Sequence, residues 1–195
     1  MKWWEKTVEY AFVRRYVSED ALLAGLDGPL EVGFGDAVFE EFNRLILLEF
    51  KKDAEAVTAE PEKLSVSVAR ALGNSVLRCD RHHILVYGGE VGGRFRLFAK
   101  TYFTGFEFEN TEAVFDGAVA KEHFKKYLVE LNRIRKSGGD PLGGGGGARS
   151  TAVAAVDREG NVVGAMSLNE CLVELGMVQR QLQRSRGRSG PDLGM

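Results

Sequence analysis

Glu49 and Lys51, at the end of the run Leu45-Ile46-Leu47-Leu48-Glu49-Phe50-Lys51, are the residues whose types and spacing best suit chemistry. Side chains two apart on a strand stand on one side of the sheet, so this carboxylate and this ammonium share a face. The four apolar residues before them are bounded by polar ones and too few for a typical helix, so they predict a central strand buried on both faces. A second carboxylate, Asp36, falls directly across from Glu49 if Glu41-Phe42-Asn43-Arg44 is a four-residue turn that pairs position 40 with 45. Opposed residues lie about 5 Å apart, Cβ to Cβ. Two carboxylates that close repel, which favours a shared proton or a hard divalent cation such as Mg²⁺ between them. A slip of one residue would send Asp36 to the other face and dissolve the site.

A third carboxylate comes from the helix expected over Trp4 to Val17, a stretch without Gly or Pro. At about 100° per residue, Val8, Phe12, Tyr16 and Val13 form its apolar arc, and Glu5 and Glu9 fall inside that arc. Glu5 sits in the first turn, where the helix dipole favours a negative charge. Glu9 has no such reason, and burying it unpaired costs several kcal/mol, so a cation is expected to meet it.

This arrangement resembles the PD-(D/E)XK nuclease superfamily, in which a Glu-bearing N-terminal helix precedes a hairpin carrying Asp and then Glu-x-Lys. Here those residues are Glu9, Asp36 and Glu49-Phe50-Lys51, with Gly35 in place of the Pro that names the motif. The resemblance covers roughly the first hundred residues. It implies a restriction-endonuclease-like α/β (α+β) core, a central mixed sheet flanked by helices. It further implies Mg²⁺- or Mn²⁺-dependent hydrolysis of nucleic-acid phosphodiester bonds, DNA ahead of RNA. Asp36 and Glu49 would bind the metal directly and Glu9 through water, while Lys51 would orient the attacking water and stabilise charge on the phosphate. Lys52, on the opposite strand face, would take no part. The alternative keeps the fold without the catalysis, as an inhibitor, immunity or regulatory subunit. In the plainest alternative, Glu49, Lys51, Lys52 and Asp53 mark where a core strand emerges into water.

At 195 residues and 44% hydrophobic, the chain is large enough for one sizeable core. Its net charge of -2 makes it no strongly basic binder, although Lys121, Lys125, Lys126, Arg133, Arg135 and Lys136 cluster late, and Arg180, Arg184, Arg186 and Arg188 in the tail. Either cluster suits a phosphate backbone or a solvated surface; nucleic acid is the expected partner, with a protein partner or homodimer as a further candidate. No apolar stretch nears the roughly 18 residues that cross a bilayer, and MKWWEK lacks signal-peptide form, so a cytoplasmic location without membrane contact is expected. Cys79 and Cys171 are too few and too distant for a disulfide framework. Cys79, His82 and His83 hint at zinc but lack a partner cluster.

The expected organisation is a nuclease-like core over 1–136, a glycine-rich loop or linker over 137–150, a C-terminal hairpin and short helix over 151–178, and a disordered tail over 179–195. Within it, Pro61 opens a helix to about Leu72, and His83 to Tyr87 is a strand ending at Gly88-Gly89. Arg94 to Phe103 is another strand. Ala118 to Lys136 is a helix burying Phe124, Leu128, Leu131 and Ile134. Thr151 to Val156 and Asn161 to Met166 form a hairpin extending the core, closed by a helix over Leu168 to Met177.

Overall fold

The computed structural model describes residues 3–23, 44–59, 73–137, 142 and 151–178, without the side chains of 19, 20, 22, 23 and 137. Asp36, its flanking turn, the helix expected from Pro61, most of the glycine-rich segment and the tail from Gln179 lie outside these residues. The described elements are α1 (Glu5–Tyr16), β1 (Val17–Leu23), β2 (Arg44–Lys51), α2 (Ala54–Thr58), α3 (Ser75–Arg78), β3 (His83–Val91), β4 (Arg94–Thr101), a 3₁₀ turn (Thr111–Gly117), β5 (Val119–Ala120), α4 (Lys121–Ser137), β6 (Thr151–Val156), β7 (Val162–Ser167) and α5 (Leu168–Glu174). The fold is mixed α/β, one sheet flanked by helices. Strand order is β1-β7-β6-β2-β3-β4, with β5 beside the start of β2. No described helix is long and apolar enough to cross a membrane.

β2 is the central strand its apolar run predicts, buried from Leu45 to Lys51. Its alternation divides the core in two. Leu45 and Leu47 join Phe124, Tyr127, Leu128, Leu131 and Ile134 of α4 on one face. Ile46, Leu48 and Phe50 join Val8 and Phe12 of α1 on the other. Both helices follow from their apolar spacing, three and four residues apart, which lines up one stripe per helix. Short helices start on side-chain caps: Asp53 accepts from the Ala56 amide at 2.9 Å, and Ser167 and Glu170 form a reciprocal capping box. Asp53 thus does more than meet solvent.

Three expectations about strands are corrected. Arg44 is the first residue of β2 rather than the last of a turn, and its guanidinium binds the carbonyls of Ala118, Asp157 and Asp116. The β6–β7 hairpin is not appended to the core but lies inside the sheet, antiparallel to β2 from Arg44↔Val156 to Glu49↔Thr151. On its other side β2 runs parallel to β3, where Glu49 pairs with Leu85. Both ladder positions beside Glu49 are therefore filled, by Thr151 and Leu85, while Asp36 lies outside the described residues. β3 also continues through Gly88 and Gly89 to Val91. A Cβ at Gly88 would collide with the Trp3 and Phe95 rings and one at Gly89 with Phe98, so these glycines serve close packing rather than a turn.

Candidate functional site

Strand parity sends Glu49 and Lys51 to the α4 face, and parallel pairing brings His83 of β3 to the same face, opposite Leu47. α4 supplies two more groups from its buried stripe. Tyr127 lies beside Leu128, and Arg135 follows Leu131 by four residues, about 40° further round the helix. Tyr102, just after β4, completes the cluster. The result is a polar island within the apolar core.

Glu49 is its centre and is 1% exposed. Its Oε1 accepts from Arg135 Nη2 and from His83 Nε2, the latter at 3.2 Å, while Lys51 Nζ stands 3.6 Å from Oε2. His83 Nδ1 lies 2.7 Å from the Tyr127 hydroxyl. Arg135 also donates to the Tyr102 hydroxyl at 3.3 Å, and the His83 ring stacks on Tyr102 with centroids 4.1 Å apart. Glu49 Oε2 and Arg135 Nε are buried and have no hydrogen-bond partner among the described residues.

The protonation states follow from competing effects. Burial alone would raise the Glu49 carboxyl, but Arg135, the His83 hydrogen bond and Lys51 outweigh it and hold the group well below the usual carboxylate range. Burial lowers His83 against the pull of Glu49, so its imidazole is neutral at pH 7. Burial raises Tyr127 well above its ordinary value, so the phenol keeps its proton. A protonated Tyr127 donates to Nδ1, which leaves the imidazole proton on Nε2, where it reaches Glu49. Arg135, which burial would weaken, is held more firmly protonated by Glu49.

Of the residues expected at the site, Glu49 and Lys51 are brought together. Glu9 is buried as anticipated and is met by Lys6 at 2.9 Å. It belongs to α1, however, which packs on the face opposite Glu49, so the two carboxylates sit in separate ionic groups. Lys52 is half-exposed and pairs with Asp53 at 3.6 Å. His83, Tyr127, Arg135 and Tyr102 were absent from the sequence reading of the site. Arg135 carries the same signal as Glu9, a charge on an apolar helical stripe, within a segment otherwise rich in exposed Lys and Arg.

His82 packs against α4, its ring 4.4 Å from Tyr127 and 5.5 Å from His123 between centroids. Asp80 binds the Phe103 and Thr104 amides and the Thr104 hydroxyl. Cys79 is exposed. The three residues of the zinc hint are thus dispersed, and no group of three His, Cys, Asp or Glu able to hold a metal occurs among the described residues.

The described residues do not fit a Mg²⁺ ion at Glu49. One oxygen is shared by Arg135 and His83, and the other faces Lys51, so a dication would meet one available oxygen beside two cations. Compared with protein-family models, curated proteins and solved structures, the chain matches none.

Proposed function

We propose that this chain acts by binding rather than catalysis, as an inhibitor, immunity protein or regulatory subunit does, with Glu49-x-Lys51 serving the fold. The observation that carries this reading is the enclosure of Glu49: Arg135 and His83 share one oxygen and Lys51 stands 3.6 Å from the other, on a carboxylate sealed in the core. A reactive carboxylate needs substrate access and a free pair of oxygens. A buried one in a partnered cluster holds the structure together, because loss of either partner strands the other's charge.

A second reading, the Mg²⁺-dependent nuclease implied by the PD-(D/E)XK resemblance, is favoured by Glu49 Oε2, which accepts no hydrogen bond among the described residues and stands beside Lys51. The test is incubation of the pure protein with single- and double-stranded DNA and RNA in Mg²⁺, Mn²⁺ or EDTA, with Lys51→Ala as control and melting curves for both proteins. The binding reading expects no cleavage in any arm. EDTA-sensitive cleavage, lost in a Lys51→Ala variant that still folds, would overturn it and establish the nuclease.

A further inference from the structure

The rows that start at Glu49 and Lys51 continue outward onto β3 and β4, beyond the Glu49 cluster. Cross-strand pairs place Lys51, Tyr87 and Phe98 in one row, Glu49, Leu85 and Lys100 in the next, and Gly89–Arg96 and Val91–Arg94 beyond. Directly opposed residues project from the same face. Along β4, that face therefore reads Arg94, Arg96, Phe98, Lys100, three cations around one aromatic ring.

The Tyr87 and Phe98 rings are nearly parallel, 23° between planes and 5.6 Å between centroids, and both are half-buried. A Cβ at Gly89 would come within 2.6 Å of Phe98 Cε2, so Phe98 lies over the bare glycine. Arg94 and Arg96 are exposed, and Val91 is 55% exposed at the tip. At the inner end the backbone of Glu107 forms an isolated antiparallel bridge with that of Lys100, which brings an acidic residue to that edge of the face. Aromatic rings on a sheet face flanked by arginines match the two parts of a single-stranded nucleic acid: bases with a flat face to stack, and a chain of phosphates to neutralise.

We propose that the Tyr87–Phe98 pair with Arg94, Arg96 and Lys100 forms a docking face for single-stranded nucleic acid. The cations hold the phosphates and the rings take a base. These residues share the sheet face of Glu49 but lie outward of it on β3 and β4 and do not use its carboxylate, so the proposal holds whether or not the chain cleaves anything.

The experiment is fluorescence anisotropy in EDTA, which silences metal-dependent cleavage, using fluorescein-labelled oligo-dT and oligo-U of about 12 nucleotides and a duplex of equal length. Single strands are expected to bind more tightly than the duplex, and the DNA and RNA arms show whether the 2′-hydroxyl matters. Arg94→Ala/Arg96→Ala, at exposed positions, is expected to reduce the slope of log affinity against log salt by about 1.4, near 0.7 for each lost phosphate contact. Phe98→Leu, with folding checked by melting, is expected to weaken single-strand binding about tenfold. Absence of single-strand binding at low salt, an unchanged slope in the arginine variant, or duplex binding as tight as single-strand binding would each overturn the proposal.

Discussion

Arg135→Met removes the cation closest to Glu49 while keeping much of the side-chain volume that packs under α4. The Glu49 carboxylate then stays buried with a neutral His83 donor and with Lys51 at 3.6 Å. Breaking a buried ion pair from one side costs about 3–5 kcal/mol, and the remaining Lys51 places the expected loss near the lower end, about 3 kcal/mol. For a chain of this size that is about 6–12 °C in Tm. The assay is urea unfolding followed by circular dichroism, at pH 7.5 and at successively lower pH. The pH series supplies a sign test. In the native protein Glu49 titrates well below the 4.5 of an unperturbed glutamate, so it contributes stability above that pH and loses the contribution as pH falls through the folded value. Removing Arg135 shrinks this contribution, so the gap between wild type and variant is widest above pH 4.5 and closes on acidification. A loss below about 1 kcal/mol at pH 7.5, or a gap that widens as pH falls, would refute the view that Arg135 and Glu49 form a mutually dependent buried pair.

Burial, with His83 and His123 beside it, holds His82 at about 3 against 6.5 for a free imidazole, so the unfolded chain takes up a proton first and stability falls as pH drops below 6.5. His82→Leu should flatten that decline by up to about 1.4 kcal/mol per pH unit, read from urea midpoints between about pH 6.5 and 4, and identical slopes would count against it. Asp80→Ala orphans the buried Phe103 amide and should cost about 2 kcal/mol in denaturant unfolding with an unchanged m value. Gly117→Ala drives a Cβ into the Arg81 backbone carbonyl, which cannot rotate aside, and should lower stability by about 2 kcal/mol; a melting temperature within a degree of wild type would show that the turn yields.

Elements whose apolar residues repeat at a clear period were legible. β2, α1, α4 and the β6–β7 hairpin stand within a few residues of where spacing places them, and all four buried positions expected on α4 are buried. Sheet order was not legible. An apolar strand such as β2 accepts a neighbour on either edge, and nothing in Leu45–Leu48 says that β6, a hundred residues later, takes the edge that a local hairpin would have filled. Gly88 and Gly89 misled for a related reason: a glycine that ends a strand and one that admits a ring across it look alike until the partner ring is known. At the site, Glu49 and Lys51 could be found because a two-residue spacing is local. His83, Tyr102, Tyr127 and Arg135 reach Glu49 only through sheet order and the docking of α4.

The position of the cluster also bears on how β2 finds its register. From Leu45 to Leu48 the strand is apolar on both sides, and both sides are buried, so hydrophobic alternation cannot distinguish the native register from one shifted by a single residue. Glu49 and Lys51 remove that degeneracy. A one-residue shift would turn them toward Val8, Phe12 and Phe115, an apolar and aromatic layer, and would strand Arg135 and His83 beneath α4. Each unpaired buried charge costs several kcal/mol, comparable to the whole stability of a typical domain. The cluster therefore need add little net stability in the native fold to select it over the shifted one. This also accounts for a carboxylate with one oxygen that accepts no hydrogen bond among the described residues, because discrimination between registers requires only that the alternative be far worse.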